Sequence, residues 1–417
     1  MKLISIINFI VIIVFSLILS SCSDITSPNN PPINDKLPMW PQHGYNARRT
    51  GNPYGPEVYI SPVNGISINW IDTIEAGYMY VYPTIDSEGN IYYLHILHNM
   101  YSGILYKIDK NGKIIWKFKD STLLMSWDCG LGLSSDERNI YIPCGSGLYC
   151  IDSGGYLKWE YEDYSIYSNV TMPAIGKDGT IYAVIGPYNL CAFTSDGKLK
   201  WSVPNSVGAP SLDRDENIYV GWTDGQIGGS GGIAKYDKYG NMKWKYNLAK
   251  PPFGCSIDAN NNIYCEFGTG GLQHGFVSLD KDGNLRWEKL RKLGDSIVLA
   301  YNCTPTIDKK NNIIASGFWY RHNGSKLGLI KTDSSGNIID IYPTSGSTLY
   351  YIPDVILFDS EENVYYRSEC EYGSYSNNGV LRFSERKTIY LYTLSVNSML
   401  VEGISNEYSN SFIFTLK

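Results

Sequence analysis

Charge is scarce in this chain: of 417 residues only 18% are Asp, Glu, Lys or Arg. The formal net charge is −6 and there is no basic run, so nothing supplies the positive stripe that a phosphate backbone requires, and nucleic acid is not an expected ligand. Histidine is rarer still, at positions 43, 95, 98, 274 and 322. His95 and His98 stand three apart in what reads as a loop leaving a strand, where that spacing does not aim two imidazoles at one metal as it could on a helix. No Cys-x-x-Cys occurs, which excludes the common zinc and redox motifs. There is no Gly-x-Ser-x-Gly elbow and no phosphate-cradling glycine loop before a helix.

What the chain does have is a tryptophan at nearly constant intervals. Trp70, Trp116, Trp159, Trp201, Trp244 and Trp287 are separated by 46, 43, 42, 43 and 43 residues, a period that fits one four-stranded unit and is too short for a domain. The fullest copy runs from Pro83 to Trp116. In it NIYYL, ILYKI and KIIWKF are short, β-branched and aromatic, without helical period, and read as strands. Asp86-Ser-Glu-Gly89 and Asp109-Lys-Asn-Gly112 between them are turn signals, because Asp bonds its own backbone and Gly accepts a positive φ. The unit is therefore four antiparallel strands, a to d, with the tryptophan on d.

The first turn recurs as PAIGKDGTIY, PSLDRDENIY, CSIDANNNIY and PTIDKKNNII, and the second as IDSGGYLKW, SDGKLKW, DKYGNMKW and DKDGNLRW. Degenerate copies put Asp340 and Leu391 at the tryptophan position, which makes eight d strands. Only seven complete a-to-c sets lie between residues 83 and 383, whereas MLVEGIS and SFIFTLK form a remnant at the C-terminus. Pairing of that remnant with the first d strand, 66–74, closes a ring and removes two exposed sheet edges. The expected fold is all-β, an eight-bladed β-propeller, or a seven-bladed one if the remnant is only an extension. Each tryptophan is expected to fill the gap between adjacent blades.

These residues resemble the pyrroloquinoline-quinone-like (quinoprotein-type) β-propeller repeat family over residues 40–417. The Asp-x-x-Gly-x-x-x-Trp phrase is similar to that family's tryptophan-docking motif, shortened by one turn residue, and WPQHGYNARRTG (40–51) is similar to the segment preceding its first blade. WD40 repeats fit less well, since the only Trp-Asp dipeptide, Trp127-Asp128, is off register. The family contains dehydrogenases as well as assembly-machine lipoproteins, so it transfers little function. Its quinone enzymes carry a vicinal cysteine disulfide, a calcium cluster and long inter-blade insertions. This chain has no Cys-Cys pair and no such insertions, so no cofactor and no enzymatic activity are expected.

The N-terminus reads as an export signal: one lysine, an apolar run over 3–19, then Leu19-Ser20-Ser21-Cys22, which looks like a bacterial lipobox. Residues 1–21 would be removed and Cys22 acylated, which would tether the protein to a membrane. Ser23, where Asp would signal retention, favours the outer membrane of the cell envelope. Residues 22–39 are polar and proline-rich and are expected to be a disordered stalk.

Export permits disulfides. Cys255 and Cys265 flank one a–b turn symmetrically, so pairing of Ile257 with Ile263 would set them opposite each other. A turn at Ser146-Gly147 would instead set Pro143 opposite Cys150, and deny Cys144 that partner. Tyrosine is abundant, with 35 copies. Tyr92, Tyr141, Tyr182, Tyr219 and Tyr264 fall on strand b, where packing explains them. The Asp-x-x-Gly segments lack the twelve-residue loop and terminal glutamate of a calcium-binding EF-hand and read as β-turns. GGSGG (228–232) reads as a flexible hairpin connection.

Loop length is the informative irregularity. From strand b to strand c the distance is 8 or 9 residues in blades two and three, 14 in blade one and 16 in blades six and seven. The enlarged segments read FWYRHNGSK, SECEYGSYSNN and HILHNMYSG, beside the connector YPTSGSTLYYIP. Tyrosine, tryptophan and arginine among Ser, Gly and Asn suit an adaptable contact surface. The expected function is a non-catalytic envelope lipoprotein that holds a protein partner through Trp319, Tyr320, Tyr350, Tyr351 and Tyr372, with Arg321 and His322 as polar partners. The alternative is a glycan-binding protein or polysaccharide-acting enzyme using the central funnel. Strand a offers it mostly Pro, Thr, Ser, Ile and Val.

Overall fold

The computed structural model describes residues 68–416, except 75–76, 79–82, 98–101, 121–122, 124–129, 146, 164–169, 187, 226–228, 271–272, 291–296, 300–303, 322–323, 345–354, 359–361, 368–370, 387–389, 398 and 406–410. The export segment, Cys22 and the stalk lie outside the described residues, as do His98, His322, Tyr350 and Tyr351.

Every described regular element is a strand, and the strands form eight antiparallel sheets. Blade four is representative: Ser206–Leu212, Ile218–Thr223, Gly231–Tyr236 and Met242–Leu248 pair in sequence order as a, b, c and d. The apolar residues of strands a to c are buried, Val207 and Trp222 only in part, and strand d alternates between half-buried and exposed side chains up to the buried Leu248. That is the pattern of a sheet whose last strand forms the outer edge. Lysines flank the tryptophan on that strand (Lys243 and Lys245), and charge of this kind blunts an open edge.

The ring closes as the sequence suggests, but with a third C-terminal strand. Tyr390–Asn397, Met399–Ser405 and Ser411–Leu416 are strands a to c of the last blade, and the N-terminal Ile68–Ile74 is its strand d. Ile71 lies opposite Phe414 and Ile74 opposite Ser411. Leu391 is therefore not a tryptophan substitute on strand d; it begins the last strand a. The d strand of blade seven is Leu381–Arg386, and Phe383, opposite Ser374, takes the place that Trp287 holds opposite Ser278 in blade five. The Ser376–Gly379 turn that precedes it has no Asp, which is why the repeat is hard to see there.

Among the described residues five c–d turns are built by one aspartate, and Thr194 and Ser376 hold its place in blades three and seven. Asp237 Oδ1 accepts the backbone N–H groups of Tyr239 and Asn241 at 3.0 Å, while Gly240 takes φ +84°. Asp109, Asp152, Asp280 and Asp333 repeat the arrangement. Burial alone would raise the carboxyl of Asp237, but these bonds and those from Asn241 and Lys243 outweigh it and hold the group at about 2.

The glycine also receives the neighbouring blade. Trp201 lies over Gly240, where an added Cβ would stand 3.0 Å from Cδ2, and donates Nε1–H to the Lys238 carbonyl at 3.0 Å. Trp116, Trp159, Trp244 and Trp287 do the same over Gly155, Gly197, Gly283 and Gly336. Within its own blade each tryptophan sits 5.9–6.1 Å from the strand b tyrosine (Tyr92, Tyr141, Tyr182, Tyr219, Tyr264). All five tyrosines are fully buried. The tryptophan thus bridges two sheets, filling a gap that twisted sheets leave between them. Asp340 lies over Gly379 in the same way, its Oδ2 2.8 Å from where a Cβ would be.

Candidate functional site

Three regions could carry function: the turns, the channel wall and the face that bears the b–c and d–a connections. In the a–b turns a buried Asp gathers several donors. Asp213 accepts Asn217 Nδ2–H, the Tyr219 hydroxyl at 3.0 Å and, at 3.5 Å, the Lys235 ammonium from strand c. Asp86 with Lys107 and Asp308 with Lys331 repeat the pair at 3.5 and 3.0 Å. Burial, then the adjacent carboxylate, pushes the Tyr219 and Tyr92 phenols far above their ordinary value. Every group here serves the fold.

Non-glycine residues with positive φ add links between these turns. Glu137, Glu216 and Glu362 hold φ of 58°, 62° and 65°. Their carboxylates accept backbone N–H groups of Ser87, Lys177 and Lys309 in the preceding blade, at 2.6, 3.0 and 2.6 Å. A left-handed glutamate costs about 1–2 kcal/mol, which a charge-assisted hydrogen bond of about 1.5–3 kcal/mol offsets. Among the described residues no cluster of three or more His, Cys, Asp or Glu is placed to hold a metal.

The channel wall is likewise occupied with itself. Ser211, Ser256 and Thr306 hold the same register position, opposite Tyr219, Tyr264 and Ile314 of their own strand b. The hydroxyl of each donates to the strand a carbonyl of the next blade: Ser211 to Cys255 at 2.7 Å, Ser256 to Pro305, and Thr306 to Ile356 at 2.6 Å. All three side chains are buried. Cys255 and Cys265 face each other in the expected register, with Ile257 opposite Ile263, and are joined as a disulfide. Cys150 is opposite Tyr141 rather than Pro143, because the hairpin pairs Cys144 with Gly147. Cys144, Cys150 and Cys191 are buried and unbridged. Burial pushes the Cys150 thiol up to about 12, which suppresses thiolate chemistry at neutral pH.

On the third region the structure revises the sequence reading. The enlarged segment of blade six is largely an extended hairpin, and in blade one strand b runs on through His95 to Leu97. In blade six, strands Ile313–Arg321 and Gly324–Thr332 each have nine residues and pair to the tip, Arg321 opposite Gly324. Strand b of blade three has five residues, so this hairpin is longer by about 14 Å at the usual rise. The incoming connector joins it: Ile297–Leu299 pairs alongside, with Ile297 opposite Trp319. Blade one repeats the device, Gly77–Tyr78 pairing with Ile91–Leu97.

Trp319, Tyr320 and Arg321 are accordingly on strand b, opposite Lys326, Ser325 and Gly324. Tyr372 is on strand c of blade seven (Glu371–Tyr375), opposite Arg367 and Glu385. His95 is also on a strand, opposite Ile104, and fully buried. A buried carboxylate beside Tyr372 had no signal in the sequence reading: Glu371 accepts the hydroxyls of Tyr366 and Ser384, both at 2.7 Å. Gly231 and Gly232 of blade four are required by close packing. A Cβ on Gly232 would lie 1.8 Å from the Tyr246 carbonyl oxygen, beneath Trp222 and the Lys245 ammonium 4.5 Å above its ring.

No family model matches the sequence, and no curated protein matches it. Solved structures do match in fold. A quinohemoprotein alcohol dehydrogenase, ADHIIG from Pseudomonas putida HK5, superposes with a TM-score of 0.65 at 12% identity, over 91% of this chain and 80% of that one. BamB from Moraxella catarrhalis gives 0.56 at 12% identity, over 85% and 98%. The Dos1 propeller gives 0.56 at 10%, over 84% and 95%. With a tryptophan-docked ring of four-stranded sheets closed by its first and last strands, the chain has the β-propeller fold that these structures share.

Proposed function

We propose that the protein is a non-catalytic lipoprotein of the cell envelope whose propeller holds a protein partner on the face of the b–c and d–a connections. The observation that carries this reading is the extended, three-stranded hairpin of blade six. It puts Trp319, Tyr320 and Arg321 on a hydrogen-bonded strand beyond the ring. An ordered strand has already lost the backbone entropy that a loop would lose on binding, so aromatic anchors carried on it hold a partner at lower cost. Tyr372 on neighbouring blade seven, with His322, Tyr350 and Tyr351, extends the same set of candidates. Similarity in fold to BamB and Dos1 is consistent with a scaffold. The acyl group on Cys22 and the outer membrane as its location belong to this proposal, on the strength of the Leu19–Cys22 sequence.

The second reading, a glycan-binding or polysaccharide-acting protein using the funnel, is disfavoured by the channel wall, where the Ser211, Ser256 and Thr306 hydroxyls are already committed. Capture from detergent-solubilised envelopes tests the proposal, with the unacylated mature chain as bait and Trp319→Ala/Tyr372→Ala as the control. The expected result is stoichiometric recovery of one envelope protein, lost in the double variant with an unchanged unfolding midpoint. Recovery that survives the double variant would move the contact to another surface.

A further inference from the structure

Twelve large hydrophobic side chains among the described residues are exposed, and their placement is not random. Phe253 apart, all of them fall in a c–d turn or on the first two residues of a strand d. Leu157, Leu199, Met242, Leu285, Ile338 and Leu381 each open strand d in successive blades, two residues before the docked aromatic or its replacement, and are 40–53% exposed. Tyr156 and Tyr239 stand in the adjoining turns at 73% and 69%. Isolated surface aliphatics need no explanation, but a position that stays apolar and exposed in every one of six consecutive blades does.

Blades are related by rotation about one axis, so residues at one repeat position lie at one height and describe a circle in a plane. The surface that can meet all of them together is flat and perpendicular to that axis. The chain also enters the ring at this rim. Ile68 opens strand d of the last blade opposite Leu416, as Leu157 opens its own opposite Ile151. Cys22 lies 46 residues upstream of Ile68, so an anchor there would be joined to the ring on this side.

We infer that this rim is a membrane seat: the circle of aliphatic residues and tyrosines rests on the lipid headgroup layer, turning the blade six hairpin away from the bilayer. Tyrosine suits the water–lipid boundary, whereas the lysines beside these positions are engaged within their own blades, Lys158 with Asn139, Lys200 with Thr180 and Lys243 with Asp237. The inference rests on the tethered-lipoprotein reading, but its test is separable from it. The chain with Cys22→Ser, carrying an N-terminal hexahistidine in place of residues 1–21, is held on phosphatidylcholine vesicles containing a nickel-chelating lipid. An environment-sensitive fluorophore is placed by Leu199→Cys or, on the opposite face, Phe253→Cys, and the vesicles carry a nitroxide quencher at headgroup depth.

The label at 199 is expected to lose most of its emission and the label at 253 to keep it. Leu157→Ser/Met242→Ser/Leu285→Ser, which alters exposed positions only, is expected to restore emission at 199 without changing the unfolding midpoint. Equal quenching at both labels would overturn the seat, as would a label at 199 already shielded by self-association in lipid-free solution. Because the nickel lipid replaces the acyl chain, acylation is judged separately, from the mass of the mature N-terminal peptide of the native protein. Its absence would defeat the lipoprotein reading without altering the vesicle result.

Discussion

A glycine in this protein does one of two things, and the difference is measurable. Gly179 and Gly197 have nearly the same φ, +78° and +84°, in equivalent tight turns. A Cβ on Gly179 meets nothing nearer than 4.0 Å, whereas one on Gly197 would stand 2.6 Å from Trp159 Cδ2. Gly179→Ala is therefore expected to cost only the backbone term, about 1–2 kcal/mol. Gly197→Ala should add the cost of lifting a tryptophan off its seat, about 1–3 kcal/mol more. Urea unfolding of the two variants reads this difference directly; equal midpoints would mean that the tryptophan is not held by the glycine. In the sequence both read Asp-Gly, and the tryptophan four residues after Gly197 marks that turn as the c–d one. That Gly197 carries the tryptophan of the preceding blade, Trp159, is decided by the tertiary structure.

At the scale of the strand, the repeating unit of blades one to five is a row across the sheet: a small residue on a, tyrosine on b, lysine or a small residue on c, tryptophan on d. The row Ser211, Tyr219, Lys235 and Trp244 shows it in register. Placing a carboxylate under the tyrosine makes the folded state sensitive to alkali. Burial pushes Tyr182 and Tyr375 up to about 12, and burial with an adjacent carboxylate pushes Tyr92, Tyr219 and Tyr264 beyond that. Unfolded tyrosine titrates near 10. Above that pH the unfolded chain releases protons that the folded chain keeps, so stability falls as pH rises, by about 1.4 kcal/mol per pH unit for each such tyrosine. Below pH 10 both states are protonated and this contribution is flat. Unfolding between pH 10 and 12 is expected to coincide with the 295 nm phenolate absorbance. Gradual ionisation in a still-folded protein would contradict it. The tyrosines were legible as strand residues. The Lys107, Lys235 and Lys331 partners were visible as LYKID, IAKYD and LIKTD, a cation two residues before a turn aspartate, and went unread because they sit in otherwise apolar strands.

For the whole molecule, closure decides whether the array is a ring. The last sheet takes three strands from the C-terminus and one from the N-terminus. Removing residues up to 76 would leave the edge of Ser411–Leu416 unpaired. Such a truncation is expected to oligomerise through that edge and to expose the last blade to protease, while the blades in the middle of the chain persist. Size-exclusion chromatography with limited proteolysis checks this; a monomer of unchanged resistance would show that the N-terminal strand is dispensable.

The sequence by itself determined the repeat, the strand order within a blade, the docking role of tryptophan and the ring closure, because each depends on local chemistry recurring at a fixed interval. It determined the Cys255–Cys265 register too, since a two-sided turn sets its own pairing. Where the repeat decays the reading slipped: without its aspartate the Ser376–Gly379 turn was invisible, and strand d of blade seven was misplaced onto Leu391. Tertiary structure alone decided that Trp319 to Arg321 lie on a paired strand, because a connector from residues 297–299 completes the hairpin from outside the local sequence. It alone turned scattered leucines into a circle. Residues some 43 apart become equivalent only when rotation about a common axis brings them to one height.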